Sequence, residues 1–133
     1  MANSRNIQNR MSMKKRQRGN AGGYILAILL IGGAVTVGTR LGPLYMDHST
    51  MSSIMDKMAE EPGLGVKGDN ELRTIMKKRF KLNNIRDFDL NQHVEFERTG
   101  RGTDVVMDYE VRLPLIHNVD MIASFNKEVE LKD

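Results

Sequence analysis

The sequence contains no cysteine, and its first acidic residue is Asp47. Without thiols the protein can form no disulfide, thiolate metal site or cysteine nucleophile, and it cannot be a lipid-modified bacterial lipoprotein. Because no acid offsets them, the cations of the first 18 residues form a strongly basic tail. These cations are Arg5, Arg10, Lys14, Lys15, Arg16 and Arg18.

The rest of the chain has little net charge. The 133 residues carry +3 in total, but the segment from Leu41 onward contains 13 basic and 17 acidic residues. A mildly acidic domain argues against a nucleic-acid-binding surface. The length leaves room for one domain and an anchor, so a multidomain enzyme is not expected.

Charge is also absent from residues 19–39, between Arg18 and Arg40. At about 1.5 Å per residue, a helix of this length spans about 31 Å, the hydrocarbon thickness of a bilayer. We therefore predict a transmembrane helix over residues 19–40. It is longer than the apolar run of a cleaved signal peptide, and no Ala-x-Ala-like site follows it. The basic flank predicts a single-pass protein with a cytoplasmic tail, residues 1–18, and an extracytoplasmic C-terminal part.

Three small residues, Ala34, Gly38 and Gly42, follow one another at intervals of four along the predicted anchor. Such a ridge permits close packing of two helices, so these residues are candidates for contact with a second copy or another membrane protein. Glycine is also common in transmembrane helices for other reasons, and the sequence leaves both interpretations open.

Residues 41–68 are predicted to form an amphipathic stem helix and a loop. Met51, Ile54, Met55 and Met58 share one helical face, which indicates a stripe that packs onto the domain. The same stripe could be imagined as a soft copper site, but its spacing is that of a core-facing helix. The sequence leaves open whether the stem is continuous with the anchor through Pro43.

Residues 69–133 are predicted to form the extracytoplasmic α+β domain. A second short helix is expected to begin at Glu71, capped by Asp69 or Asn70, and to end at Asn83 and Asn84. From about residue 91 the apolar period becomes two, which predicts a three-stranded antiparallel meander. Pro114 suits a strand end or an edge. The inner face of the last strand is predicted to comprise Val119, Met121, Ala123, Phe125, Val129 and Leu131.

The sequence offers no catalytic, cofactor-binding or metal-binding constellation. His48, His93 and His117 lack the spacing of a zinc motif, and we expect surface histidines. Carboxylate pairs such as Glu95 and Glu97 alternate with apolar residues and should face solvent. We therefore expect a protein that is not an enzyme and has no cofactor and no small-molecule substrate.

Several stretches resemble a family of proteobacterial membrane proteins, the domain of unknown function 4845. The resemblance covers most of the chain and is strongest at residues 41–46 and 108–112, with further likeness at residues 16–19, 59–63 and 114–116. It implies a single-pass inner-membrane protein with a periplasmic domain. It implies no particular activity.

The order of elements is also similar to that of type IV pilins and pseudopilins. These begin with a basic leader ending in glycine, followed by an apolar helix that continues as a stem into a small antiparallel sheet. Arg18 and Gly19 fit that pattern, whereas Tyr24 stands where pilins carry a glutamate. The departure puts processing and filament assembly in doubt.

Two functions therefore compete at the level of sequence. The first is an interaction or scaffold protein of the cell envelope, with the lipid bilayer and an envelope protein or a second copy as partners. A strand edge and the Met-bearing stem are its candidate contact surfaces, since exposed edges pair with other chains. The alternative is a pilin-like subunit of a filament or secretion system, which predicts cleavage after Gly19.

Overall fold

The computed structural model describes residues 21–133; the basic tail with its six cations, and Gly19, lie outside the described residues. Two compact units divide the chain, residues 1–33 and residues 34–133. Of the first unit, residues 21–33 are helical and exposed. The second unit holds the domain and the site described below.

The first helix, α1, comprises Ala21–Glu60 and contains Pro43. A proline offers no N–H to the carbonyl of Thr39 four residues earlier, yet the helix does not end there. Within residues 21–133, α1 is the helix long and apolar enough to cross a membrane, and its most apolar stretch is unburied. The prediction of a helix of spanning length near the N-terminus is confirmed.

Two further helices follow. The second helix, α2, comprises Asp69–Leu82 and is preceded by Gly68, which makes no side-chain cap. The prediction of Asp69 or Asn70 as the cap was therefore wrong, since both residues lie in the first turn. Asp69 lies where its charge complements the helix dipole. The third helix, α3, is the single turn Leu90–His93, capped by Asp89, and was not predicted.

Three strands form one antiparallel sheet in the order β1-β2-β3. Their bounds are Val94–Thr99 for β1, Gly102–Ile116 for β2 and Val119–Lys132 for β3. The register places Tyr109 of β2 opposite Phe125 of β3. The structure thus has a long N-terminal helix, a short helix and a three-stranded meander. These elements confirm the predicted α+β fold.

The core lies between the C-terminal half of α1, α2 and the inner face of the sheet. Met55 and Met58 are fully buried, together with Leu72 of α2 and Val105 and Met107 of β2. The predicted Met/Ile stripe of the stem is thus a core stripe, and it is not free to bind a partner or a metal. The buried face of this helix contains few Ala and Leu residues, so the helix depends on such packing for its stability.

The loop between α1 and α2 is fixed by the far end of the sheet. The N–H of Gly65 donates to the carbonyl oxygen of Lys132 over 2.9 Å, and the buried Thr103 hydroxyl donates to the carbonyl oxygen of Gly65 over 2.8 Å. A Cβ at Gly65 would lie 2.4 Å from the carbonyl oxygen of Leu131. Only glycine allows this close approach.

The hairpin of β2 and β3 extends beyond the core. Pro114 lies near its end and pairs with Asp120, with a register irregularity between Pro114 and Ile116. Val119 was predicted on the inner face, but it is 52% exposed. Val119 follows the alternation of the inner face, but its side chain is uncovered because the ribbon continues past the last helix and sheet residues that could cover it.

Candidate functional site

A line of aromatic side chains joins α1 to the sheet, with His48 at its centre. The His48 ring stacks on the Phe125 ring with centroids 4.7 Å apart, and the Tyr45 ring meets the Phe125 ring edge-on at 5.2 Å. The Tyr109 ring also stacks on Phe125 at 5.2 Å, and it meets the Phe88 ring edge-on at 4.9 Å. Such offset and edge-on contacts stabilise aromatic pairs beyond their buried area. They fix β2 and β3 against the stem.

The His48 ring has a polar neighbour at each nitrogen. The Tyr109 hydroxyl lies 3.3 Å from Nδ1, and the Ser52 hydroxyl lies 3.4 Å from Nε2. A neutral imidazole offers one acceptor and one donor, so one ring nitrogen donates to its neighbouring hydroxyl and the other accepts from its own neighbour. His48 and His93 are half-buried, so the expectation of surface histidines was wrong for both. His117 is exposed as predicted.

The surroundings keep both partners of this pair neutral. Burial lowers the pKa of His48, and the positive charge of Lys127 lowers that pKa further. Burial raises the pKa of Tyr109 to about 12, with a further contribution from the negative charge of Asp47.

A groove opens beside Tyr109, between the stem and the segment that connects α2 to α3. Its volume is about 480 Å³, within the range of small-ligand and side-chain pockets. Its walls combine apolar side chains of the helix, the connecting segment and β2. The apolar lining residues are Leu44, Met51, Ile85, Phe88, Tyr109 and Val111.

The floor of this groove is a strand with one vacant side. β1 begins at Val94, opposite Met107, so it covers only the first part of β2. β3 continues opposite β2 up to the pair Ile116 and Val119. The segment of β2 from Asp108 onward therefore has a strand neighbour on the β3 side alone.

Pro114 shows which main-chain groups face the vacant side. This residue has no N–H, and its carbonyl oxygen accepts a hydrogen bond from the Arg40 guanidinium. We infer that this carbonyl points away from β3, to the side on which β2 has no neighbouring strand. The N–H and C=O groups of every second residue of an antiparallel strand point to the same side. The residues that share this direction are Asp108, Glu110 and Arg112.

Acidic side chains outnumber basic ones around the groove. Asp47 and Glu110 lie on its two sides, and Asp87 and Asp89 lie on the connecting segment together with Arg86. The carboxylate of Glu110 accepts a hydrogen bond from Ser124 over 3.1 Å, which holds it on the outer face of the sheet. The charge around the opening therefore favours a neutral or cationic ligand.

The predicted packing residues lie apart from this groove. Ala34, Gly38 and Gly42 all belong to α1, and a Cβ added at either glycine would meet nothing within 4 Å. Their helix face is thus open in the structure, and their role stays a prediction. Among residues 21–133, no three His, Asp or Glu side chains cluster as metal ligands would.

The groove, the stem and most of the sheet fall within one family match. The model of a family described as a domain of unknown function, DUF4845, matches residues 40–125. The chain belongs to this family. The DUF4845 match begins at Arg40 and ends at Phe125, so it includes both the aromatic line and the vacant edge of β2. The predicted family is confirmed.

No curated protein matches the chain, and no solved structure matches it.

Sequence reasoning missed the aromatic line. His48, Tyr109 and Phe125 are far apart in the chain, and each had an ordinary explanation by itself. The one available signal was the alternation that placed Tyr109 on the inner face of β2, together with the helical spacing that places His48 three residues before Met51 on the buried side.

Proposed function

We propose that this DUF4845 protein is a single-pass protein of the bacterial inner membrane, with its basic tail in the cytoplasm and its domain in the periplasm. There it serves as a non-enzymatic interaction protein that binds an extended segment of an envelope partner along the vacant edge of β2. The proposal rests on one observation, the unpaired stretch of β2 beside a groove whose walls include apolar side chains. Exposed edges of this kind add a strand from another chain, and an adjacent pocket gives specificity.

The groove supports an extended peptide over a small substrate. Apolar side chains of the stem, the connecting segment and β2 line part of it, which suits a side chain of a bound peptide. Main-chain groups of Asp108, Glu110 and Arg112 would bond to the added strand. One side chain of that strand would enter the groove between Leu44 and Val111.

The topology has a direct test, because the sequence contains no cysteine. We expect Glu128→Cys, on the exposed face of β3, to react with a membrane-impermeant maleimide in cells with a permeabilised outer membrane. We expect Ser4→Cys, in the basic tail, to react only after lysis. Labelling of both variants only after lysis would contradict the proposed orientation.

The edge has a matched pair of variants. Glu110→Pro removes an N–H from the vacant side of β2, and Glu128→Pro removes one from the outer side of β3, by the same alternation. A photoreactive residue at Asp108 should crosslink an envelope protein in the parent and the Glu128→Pro variant, and fail in Glu110→Pro. Equal crosslinking in all three would exclude the edge as the binding site.

A pilin-like subunit is the second candidate. It is supported by α1 itself, whose C-terminal half packs on an antiparallel sheet. Tyr24 in place of the pilin glutamate counts against it. Mass spectrometry of the membrane-extracted protein decides between the two, because a pilin route requires cleavage after Gly19 and the anchored interaction protein keeps its basic tail.

A further inference from the structure

The hairpin of β2 and β3 runs back along α1 from Asp56 to Arg40. At its base Lys127, opposite Met107, forms an ion pair with Asp56 over 2.7 Å. Further along, Tyr109 and Phe125 meet His48. Each step along β2 toward its C-terminal end thus corresponds to a step along α1 toward its N-terminal end.

The end of this hairpin reaches the level of Arg40, whose guanidinium donates to the carbonyl oxygen of Pro114. Two further residues of β2 precede the turn, and at about 3.3 Å each they extend about 7 Å beyond that contact. The turn at His117 and Asn118 therefore lies at or beyond the level of Arg40. Arg40 is the first charged residue after the uncharged segment of residues 19–39.

The end of the hairpin carries exposed apolar side chains. Ile116 and Val119 pair across the end of the hairpin and are 69% and 52% exposed. Among the described residues outside α1, three other large apolar side chains are more than half exposed, Val66, Leu82 and Ile122, and Ile122 lies on the other face of β3, opposite Arg112. The cross-strand pair forms a small apolar cluster at the tip, and an exposed apolar cluster marks a contact surface.

Charged and polar groups border the cluster as they do at a lipid interface. Arg112 lies 3.8 Å from Asp120 at its edge, and both side chains are largely exposed. Arg40 lies beside it, and the turn itself contains His117 and Asn118. Cations at this height can reach lipid phosphates while apolar neighbours enter the acyl boundary. The vacant main-chain groups stay within reach of water and headgroups.

We propose that the tip of the β2–β3 hairpin inserts Ile116 and Val119 into the surface of the bilayer leaflet that α1 leaves at Arg40. The inference rests on the membrane anchor of the proposed function, because the anchor sets the height of Arg40. The lipid contact holds the domain at a fixed height and tilt over the bilayer. It leaves the groove beside Tyr109 facing the aqueous side.

The absence of tryptophan from the sequence allows a test in the full-length chain. Val119→Trp and, as a second position, Ile116→Trp are each reconstituted in vesicles of phosphatidylethanolamine and phosphatidylglycerol. Part of the lipid carries bromine near the upper end of its acyl chains. We expect blue-shifted emission and loss of about half of its intensity to the brominated lipid, as for side chains at the headgroup–acyl boundary.

Val66→Trp is the matched control. Val66 is 59% exposed, and its neighbour Gly65 contacts the opposite end of the sheet from Arg40. The emission of its tryptophan should stay at the long wavelength of a water-exposed indole, and the brominated lipid should not quench it. Equal quenching at Val119 and Val66, or none at Val119 and Ile116, overturns the inference. A third outcome also overturns the inference. If the emission of Val119→Trp is blue-shifted only at a high protein-to-lipid ratio and the brominated lipid does not quench it, the tip contacts a second copy of the chain.

Extraction separates failure of this inference from failure of the anchor. If alkaline carbonate releases the chain from the vesicles, the membrane anchor itself is wrong. If the chain stays in the membrane and the tryptophan at the tip is unquenched, the anchor stands and the hairpin contact alone is wrong. Circular dichroism of each variant confirms that the sheet has formed.

Discussion

The ammonium group of Lys127 lies 2.7 Å from the carboxylate of Asp56, on the otherwise apolar inner face of β3. The pair links the sheet to the stem, and Lys127 also lowers the pKa of His48. Both side chains keep contact with water, which limits what the ion pair can add to stability. The lysine thus adds to the effect of burial on the charge state of His48.

Replacing Lys127 by methionine should raise the pKa of His48 toward 6.5, because a cation next to the imidazole disfavours its protonated form. We expect a change of less than about 1 kcal/mol in the free energy of unfolding. Proton chemical shifts of the His48 ring followed against pH measure the change. Lys132→Met, at the far end of the same strand, is the control, and an equal pKa change in both variants would contradict the assigned cause.

The stability of the domain should fall as the pH drops below about 6.5. The folded state lowers the pKa of His48, so between the folded pKa and 6.5 the unfolded chain binds the extra proton and is favoured. Above 6.5 this contribution is fully present. Urea midpoints of the detergent-solubilised chain across this range measure the slope, and His48→Gln should have a shallower one. An unchanged slope would remove His48 as its origin.

Gly65→Ala should destabilise the domain by about 1–3 kcal/mol, the usual cost of forcing an extra methyl into a closed space. The new Cβ would lie 2.4 Å from the carbonyl oxygen of Leu131, and neither main chain can move without loss of the bond from Gly65 to Lys132. Gly68→Ala is the matched control, since its Cβ meets nothing within 4 Å. Urea unfolding measures both, and equal midpoints would show that the loop can adapt.

Met55→Ala should cost about 2–5 kcal/mol, the range for truncation of a fully buried side chain. Met55 is fully buried in the stem stripe, whereas Met46 of the same helix is 71% exposed. Met46→Ala should change the unfolding free energy by about 0.5 kcal/mol at most. Comparable losses in the two variants would mean that the stem does not pack as described.

Local patterns predicted most of the fold. The stem stripe, α2 and the strands each follow a period that a few apolar residues make visible, such as Met51 and Met55 in the stem or Val105 and Met107 in β2. The strong period also explains why the helix continues past Pro43, because packing of the following turns outweighs one missing hydrogen bond.

What the sequence could not supply was contact between distant segments. The groove depends on the register that places the start of β1 opposite Met107, and no local pattern specifies where a neighbouring strand stops. Helix α3 is a single turn, too short for a detectable period. Lys127 interrupts the apolar inner face of β3, and its partner Asp56 becomes evident only once stem and sheet are packed together.

The bonds that join Gly65 to Lys132 have a consequence for biogenesis. The connection between the first two helices is completed by the end of β3, so a chain synthesised from its N-terminus cannot close this connection before the last strand is available. Until then the methionines of the stem stay uncovered. During that interval the nascent chain needs a chaperone or another surface to shield it from aggregation.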